Sequence, residues 1–268
     1  AELVVIKCDC DAQGNFIRSS DLVFALAYAI ECDVDVVNMS FGTIFNVFEK
    51  YTQLAVESDV LCIASAGNAG SSLCQYPAAD ENVIGVGALS ADSWTLADYS
   101  NYGDNSDLLA PGTVYTTQMD GGYGYATGTS LASPIVAAAA VLYRSQHPDA
   151  EFSEMLEMLQ ASSVDLGILG EDWQNGFGAL DIHALLQEGT GHITYEMQTD
   201  ELENTQQVFI PGHTVQTMEE PERENLVFEG WYYDAQCNDA VEYYTTRFSE
   251  DVTLYANWIN EDDGTAYT

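Results

Sequence analysis

A serine with the setting of a nucleophile opens a run of small residues. Ser130 lies in Gly128-Thr129-Ser130-Leu131-Ala132-Ser133-Pro134, and small or apolar residues continue to Leu142, which predicts a buried helix with Pro134 in its first turn. The N–H groups of a first helical turn lack intrahelical acceptors, and the helix dipole adds positive potential there. They can stabilise the oxyanion that forms when a serine hydroxyl attacks a carbonyl. The alternative is an ordinary capped helix, which a Gly-Thr-Ser tripeptide alone would favour.

A second polar motif follows a predicted strand. The sequence Ser65-Ala66-Gly67-Asn68-Ala69-Gly70 comes directly after the apolar run Val60–Ala64. An asparagine there can satisfy a turn, or it can aim its amide into a cleft as an oxyanion donor. Ser40-Phe41-Gly42 ends another apolar run in the same way. Because ligands of open parallel sheets bind beyond the carboxyl ends of the strands, both segments are candidate parts of one site.

Strand-like and helix-like patterns alternate over residues 1–188. The predicted strands are the apolar runs Leu3–Ile6, Val34–Met39, Val60–Ala64 and Val83–Leu89. Helices are predicted over 22–30, 44–58 and 132–142, from Ser153 onwards, and in a short segment ending near Gln187. Such alternation predicts an α/β domain with a parallel sheet, in which Leu3–Ile6 is a central buried strand.

The pattern changes after Gly189-Thr190-Gly191. Aromatic-rich alternation with turn signals follows at 193–196, 207–210, 227–233 and 253–258, which predicts a small β-rich domain. The predicted domains are therefore residues 1–188 and 192–258, with an acidic tail over 259–268.

Acidic residues outnumber basic ones along the whole chain. There are 43 against 6, a formal net charge of −37, with 26 against 4 in residues 1–188 and 17 against 2 beyond. Such a surface repels phosphate backbones, so nucleic acid is excluded as a partner. No apolar run reaches the ~18–20 residues of a membrane span, and no transmembrane segment is predicted.

The motifs of the first domain, in this order, resemble those of the subtilisin-like serine proteases. The serine motif is Gly128–Pro134, the oxyanion motif is Ala66-Gly67-Asn68, and the substrate-binding strand is Asn38–Gly42. Further segments in the family's order and approximate spacing are Tyr76–Ala78, Val83–Ala88, Tyr99–Gly103, Leu109–Gly112 and Gly176–Asp181. The resemblance covers residues 2–188 and implies the family's three-layer α/β fold.

The resemblance also implies catalytic roles. Ser130 would be the nucleophile, and the oxyanion would be bound by the Asn68 amide, the Ser130 backbone N–H and the Thr129 hydroxyl. The implied activity is hydrolysis of peptide bonds in protein or peptide substrates through an acyl-enzyme on Ser130.

Substrate contacts follow from the same resemblance. Ser40, Phe41 and Gly42 would pair with an extended substrate as an added strand. Gly128 would allow close approach of the substrate backbone. The wall of the primary specificity pocket would be formed by Ala64, Ser65, Ala66 and Gly67.

The other two members of the catalytic triad are not recognised. In this family the aspartate and the histidine precede the serine, and none of His147, His183, His192 and His213 stands in the family's motif. We expect both upstream of Ala1, in the remaining part of an N-terminally incomplete protease domain, and we expect the 268 residues alone to be inactive or nearly so. The alternative is a non-catalytic surface scaffold or adhesin with a degenerate protease domain.

Two aromatic motifs of the second domain, Phe228–Asp234 and Thr253–Trp258, resemble the Listeria–Bacteroides (internalin B-type) repeat of bacterial surface proteins. The resemblance implies a β-grasp-like fold and an extracellular, secreted or cell-wall-associated protein. We expect a spacer or attachment module, with a glycan- or protein-binding patch as the alternative. The predicted core residues are Trp231, Tyr232, Leu254, Tyr255 and Trp258.

The implied chemistry requires no cofactor, and no metal ligand set is predicted. Subtilisin-like proteases often bind structural calcium, for which Asp104 and Asp107 are the candidate ligands and solvated loop carboxylates the alternative. The cysteines leave two disulfides open, Cys62–Cys74 and Cys8–Cys32, with a buried thiol as the alternative for Cys62.

Overall fold

The structure, a computed structural model, describes residues 1–260 except 9–17, 120, 169, 188–190, 200, 212–214, 216–217, 219, 224–225 and 243–245. The chain divides into two compact units, Ala1–Leu186 and Gln187–Thr268. Cys10, His213, Gly189-Thr190 and the predicted tail beyond Asn260 lie outside the described residues.

The first unit contains eight strands and five helices in its described part. The strands are β1 (Val36–Met39), β2 (Leu61–Ser65), β3 (Ile84–Leu89), β4 (Leu108–Pro111), β5 (Thr113–Thr117), β6 (Tyr123–Thr127), β7 (Ser163–Val164) and β8 (Ala179–Leu180). The helices are α1 (Ser19–Glu31), α2 (Glu49–Glu57), α3 (Thr129–Gln146), α4 (Phe152–Ala161) and α5 (Ile182–Leu185).

A six-stranded sheet in the order β1-β2-β3-β4-β8-β7 forms the centre of this unit. All its pairs are parallel except β7 with β8. Every residue of β2 and β3 is buried, as their continuous apolar sequences predict. Because β1 and β2 pair in parallel, their carboxyl ends lie side by side. Ser40 and Asn68 lie in the segments that follow these ends.

Helices cover both faces of this sheet. One core cluster joins Leu22 and Leu26 of α1 and Ala55 of α2 to Cys62 and Ala64 of β2. The helix α3, all of whose residues are described, contributes no residue to that cluster. It packs against β1, β2, β3 and β4, on the other face of the sheet. The predicted three-layer α/β arrangement is confirmed.

Small side chains let α3 lie close to the sheet. Ala132, Val136, Ala139 and Ala140 are fully buried at spacings of four, three and one residues, along one face of the helix. The helix begins at Thr129 because Gly128 adopts a φ of +148°, which residues with a side chain rarely adopt. The close packing fixes the helix N-terminus, and Ser130 with it, above the carboxyl ends of the strands.

The prediction for Leu3–Ile6 is wrong. Residues 1–8 form no strand, and Leu3 and Val5 are 85% and 79% exposed. An apolar run indicates that a segment could form a buried strand, but a strand also needs a neighbour that pairs with its backbone. Within the part of the chain that the structure describes, no segment pairs with residues 3–6.

A hairpin that the sequence analysis did not predict leads into α3. β5 and β6 pair in antiparallel register, with Tyr115 opposite Tyr125. Both tyrosines are exposed, and their ring centroids lie 5.2 Å apart. The last residue of β6 is Thr127, so the hairpin ends immediately before Gly128.

Arg144, in the C-terminal half of α3, forms ion pairs with residues that lie just before β1 and β2. Its guanidinium lies 2.6 Å from Asp59 and 3.4 Å from Asp35, and Asp59 also accepts the Phe152 N–H at 2.6 Å. We expect Arg144→Met to lower the free energy of unfolding by about 1 kcal/mol, because the half-buried guanidinium forms ion pairs with two partly exposed carboxylates and both are lost. Arg18→Met, at the exposed Arg18–Asp21 pair, should cost under about 0.5 kcal/mol. Urea unfolding of both variants measures the difference, and equal losses would contradict this account of Arg144.

The second unit is a four-stranded sheet. Its strands are β9 (Gly191–Glu196), β10 (Thr205–Phe209), β11 (Leu226–Tyr232) and β12 (Val252–Asn260), in the order β10-β9-β12-β11. The central pair β9–β12 is parallel and the outer pairs are antiparallel, as in a β-grasp-like fold.

Aromatic side chains fill the core of this unit. Trp231, Leu254 and Trp258 are buried as predicted, whereas Tyr232 and Tyr255 are half-buried. The Trp258 indole N–H donates to the Met197 carbonyl at 2.9 Å, which satisfies its one polar atom. Tyr195 adds a ring that the sequence analysis missed, with its centroid 4.6 Å from that of Trp231.

Candidate active site

Ser130 is the second residue of α3 and is half-buried. Its Oγ donates a hydrogen bond to the Ser40 carbonyl at 3.2 Å. Gly128, just before the helix, is anchored by its N–H to the Gly112 carbonyl at 2.8 Å. The Ser130 N–H belongs to the first turn, where no intrahelical acceptor exists. The nucleophile candidate thus lies beside a backbone donor, as the motif predicts.

The Asn68 amide is oriented by the start of the same helix. Asn68 Oδ1 accepts the Thr129 N–H at 2.8 Å and the Thr129 hydroxyl at 3.0 Å. Because a backbone N–H can only donate, the Asn68 atom facing it must be the oxygen. The NH2 end of the amide is therefore the end directed away from Thr129. The Thr129 hydroxyl also accepts the Gly67 N–H at 3.2 Å, so its proton is directed to Asn68. The oxyanion role predicted for this hydroxyl would require it to rotate and stays a prediction.

Gly128 keeps the space beside this amide open. A Cβ atom at position 128 would lie 3.4 Å from Asn68 Nδ2, in addition to the strain of a φ of +148°. A side chain at position 128 would therefore contact the Asn68 amide, and glycine leaves that side of the exposed amide open.

Ser40 is hydrogen-bonded to α3 at the place where Pro134 removes one backbone hydrogen bond of the helix. Pro134 is the sixth residue of α3, so the prediction that it lies in the first turn is wrong. Its missing N–H would have bonded to the carbonyl four residues earlier, that of Ser130. The Ser40 hydroxyl donates to that carbonyl instead, at 2.9 Å. Because of the proline, the Ser130 carbonyl has no helical donor and can accept the Ser40 hydroxyl. This bond links the residue after β1 to the nucleophile candidate.

Asn38 and Ser133 extend this connection. Ser133 Oγ donates to Asn38 Oδ1 at 2.7 Å, and Asn38 Nδ2 donates to Ser40 Oγ at 3.0 Å. Sequence analysis gave neither residue an individual role. The available signal was a polar residue, Asn38, in the apolar run that forms β1.

The remaining candidate substrate residues have different exposures. Gly42 is exposed, and Phe41 is half-buried with its ring 6.0 Å from that of Phe48. A Cβ at Gly42 would lie 2.2 Å from Gln75 Oε1, so a side chain there requires Gln75 to move. Ala64, Ser65 and Ala66 are at most 3% exposed, and Gly67 is buried. Their contact with substrate stays a prediction.

None of the described histidines contacts Ser130. His147 follows the last residue of α3 and stacks on Tyr143, which places it ~25 Å along the helix from Ser130. His183 lies in α5, and His192 is in the second unit, 3.7 Å from Asp251.

The described cysteines of the first unit, Cys8, Cys32, Cys62 and Cys74, are thiols. Neither candidate disulfide is therefore formed. Burial, with the nearby charge of Asp80, raises the pKa of Cys62 to about 12. Burial also raises the pKa of Cys74 to about 12. Neither is a thiolate near neutral pH, so neither competes with Ser130 as a nucleophile.

Asp104 and Asp107, the candidate calcium ligands, are not grouped with a third carboxylate in the described part of the chain. Among the residues with described positions, no three Asp, Glu, His or Cys side chains are grouped to share a metal ion. Calcium also takes backbone carbonyl and water oxygens as ligands, so calcium binding at this loop stays a prediction. Asp107 accepts the Gly85 N–H at 2.6 Å.

Burial of Asp107 makes the stability of the first unit depend on pH. Desolvation raises its pKa to about 6, against the opposing effect of the Gly85 hydrogen bond, and Glu171 adds to the rise. Because the folded state favours the protonated carboxyl, protonation of Asp107 stabilises the unit fully below pH ~4. This stabilisation is lost as the pH rises through 6. Asp107→Asn keeps an acceptor for Gly85 and should stabilise the unit at pH 8 by up to about 3 kcal/mol.

Thermal unfolding of Asp107→Asn between pH 4 and pH 8 tests this account. The rise in melting temperature should be present at pH 8 and should shrink towards pH 4. Asp104→Asn, on the exposed part of the same loop, controls for the loss of one negative charge. An equal gain in both variants would mean that net charge, not burial, is responsible.

The first unit matches a known protein family. Residues 1–178, about two thirds of the chain, match the Subtilase family. The chain belongs to the subtilase family. Residues 192–257 match the Listeria-Bacteroides repeat domain, so both resemblances found in the sequence are confirmed.

The relatives of this subtilase chain include subtilisins and other proteases. It is 32% identical to subtilisin NAT of Bacillus subtilis subsp. natto, over 70% of this chain and 49% of the relative. It is 29% identical to a cell wall-associated protease of Bacillus subtilis (strain 168), over 77% of this chain and 25% of the relative. A solved lanthipeptide protease is similar with a TM-score of 0.58 and 27% identity, over 66% of this chain and 67% of the other. The chain spans about half the length of subtilisin NAT.

The subtilase unit also contains a site component to which the motifs assigned no role. Asn101 is only 2% exposed and hydrogen-bonds to the loop that carries Asn68. Its presence in Tyr99–Gly103 contributed to the resemblance, but a motif does not indicate what a buried asparagine contacts.

Proposed function

We propose that this chain provides the nucleophile and oxyanion hole of a secreted or surface-attached serine endopeptidase. The observation that carries the proposal is the orientation of Asn68. Thr129 holds its oxygen, so its NH2 is the end that can donate to a carbonyl oxygen bound beside Ser130.

In the proposed reaction, Ser130 Oγ attacks the carbonyl carbon of a peptide bond. Its proton passes to a histidine, and the negative charge that develops on the carbonyl oxygen is stabilised by Asn68 Nδ2–H and the Ser130 N–H. The C–N bond then breaks, the departing amine takes the proton from the histidine, and the acyl group stays on Ser130. Water hydrolyses this acyl-enzyme with the same histidine as base.

The histidine and its aspartate partner are proposed to come from outside residues 1–268. No described histidine contacts Ser130, and the hydroxyl instead donates to the Ser40 carbonyl. Without a base the Ser130 hydroxyl is a weak nucleophile, so we expect little or no activity from the 268 residues alone.

Substrates are proposed to be extended protein or peptide segments that pair with Ser40, Phe41 and Gly42. Gly42 is exposed, as such pairing requires. The second unit, a Listeria-Bacteroides repeat, is proposed as a spacer or attachment module outside the cell. Of the helices in the described ranges, none combines the length and apolar character that crossing a bilayer requires.

Labelling with a fluorescent fluorophosphonate tests the proposal. The probe reacts with activated serines, and it is applied to the 268-residue chain and to the chain produced with its upstream coding sequence. We expect labelling of the longer form, lost in Ser130→Ala. Absence of labelling in a longer form that is shown to be folded would exclude the protease and favour the non-catalytic scaffold.

A further inference from the structure

The loop that carries Asn68 has no regular secondary structure. Residues 66–73 follow β2 without forming a helix or strand, so they lack the repeating backbone bonds that fix a conformation. An oxyanion donor must lie within about 0.5 Å of its productive position. Something other than secondary structure must therefore hold this loop.

Asn101 supplies these bonds from inside the protein. Its Oδ1 accepts the Ala69 N–H at 2.8 Å and the Ser71 N–H at 3.2 Å. Its Nδ2 donates to the Ala66 carbonyl at 3.2 Å and to the Leu73 carbonyl at 3.0 Å. A primary amide has two donor hydrogens and two acceptor lone pairs, so this side chain is fully used.

The partners of Asn101 lie on both sides of Asn68 in the chain. The Ala66 carbonyl precedes Asn68, and the other three groups follow it within five residues. The Asn101 backbone N–H adds a bond to the Gly67 carbonyl at 2.9 Å. Fixing the backbone on both sides removes the freedom by which the Cα of Asn68 could shift.

The loop sequence fits this side chain closely. Gly67 has a φ of +113°, and a Cβ there would lie 2.4 Å from Asn101 Nδ2. The neighbours of Asn101 add two backbone bonds, from Gly70 N–H to the Tyr99 carbonyl at 2.8 Å and from Tyr102 N–H to the Ser71 carbonyl at 3.0 Å. The segment 99–102 thus lies along the loop as a supporting layer.

We propose that Asn101 is a positioning residue for the oxyanion donor Asn68. Thr129 fixes the outer end of the Asn68 side chain, and Asn101 fixes the backbone from which that side chain projects. Together they hold the NH2 where the oxyanion forms. This inference rests on the proposed protease function.

The role predicts a specific kinetic effect of Asn101→Ala. A displaced donor stabilises the transition state less but does not alter substrate binding in the ground state, so kcat should fall about 10- to 100-fold with KM within about twofold. A merely structural role predicts a lower melting temperature with normal kcat in the folded fraction. Asn175→Ala is the matched control, because Asn175 is also a buried amide but bonds to Asp172.

A double-mutant cycle with Asn68→Ala decides whether Asn101 acts through Asn68. In the protein produced with its flanking coding sequence, Asn101→Ala should reduce kcat in the wild type and have little further effect in Asn68→Ala. Equal losses in both backgrounds, or no loss in the wild type, would overturn the inference and leave the protease proposal standing. Absence of any Ser130-dependent hydrolysis in the folded wild type would overturn both.

Discussion

Ser130→Ala is expected to remove hydrolysis almost completely, the largest effect of any substitution in this chain. The variant loses the only atom that can form the acyl-enzyme, whereas the oxyanion donors remain. A loss on the order of 10⁶ in kcat is the established cost of this change in a subtilisin and is taken over from it. The residual rate should still exceed that of the uncatalysed reaction, because binding and the oxyanion hole persist.

The fold should tolerate this substitution. Among the described residues, Ser130 Oγ donates one hydrogen bond, to the Ser40 carbonyl, and alanine is the residue most compatible with a helix. Ser145→Ala is the matched control, because it makes the same change near the other end of α3, on an exposed residue. Steady-state hydrolysis of a peptide substrate by both variants gives the comparison. Comparable activity of Ser130→Ala and Ser145→Ala would exclude Ser130 as the nucleophile.

Much of the fold could be predicted because its buried strands are short and continuous in the sequence. β1, β2 and β3 lie within or next to the predicted apolar runs, and the four strands of the second unit overlap the predicted alternating segments. Leu3–Ile6 has the same apolar character and forms no strand, since pairing depends on a neighbour that the local sequence does not reveal. The β5–β6 hairpin was missed because glycines, threonines and tyrosines give its strands little apolar alternation.

The site was predictable to the extent that its residues stand in motifs. Ser130, Asn68 and Ser40 were assigned by resemblance, and the structure brings them to neighbouring segments through Thr129 and α3. The hydrogen bonds that hold these residues in place could not be predicted, because each bond joins residues that are far apart in the chain. Ser40 and Ser130 are 90 residues apart, and Asn101 lies 35 residues from Ala66.

The two ends of the Asn68 side chain have separable functions. Oδ1 accepts two hydrogen bonds from Thr129, which stabilises the junction between the loop and α3. Nδ2 is the proposed oxyanion donor. Substitutions that remove one function or both can therefore distinguish catalysis from structural support.

Asn68→Ala and Asn68→Asp are both expected to reduce kcat with little change in KM. Each removes the NH2, and a loss of ~10²–10³ is the established cost at the oxyanion asparagine of a subtilisin, taken over from it. Aspartate should be at least as damaging as alanine, since it places a carboxylate beside a developing negative charge.

The same two variants should differ in stability. Asn68→Asp keeps an acceptor for the Thr129 N–H and hydroxyl, whereas Asn68→Ala leaves both donors without it, at a cost of about 1 kcal/mol. Melting temperature should thus fall in the alanine variant and stay near the wild-type value in the aspartate variant, while both lose kcat. An aspartate variant that retains wild-type kcat would show that Nδ2 does not contact the oxyanion. The negative charge on the carbonyl oxygen would then have to be stabilised by backbone N–H groups alone.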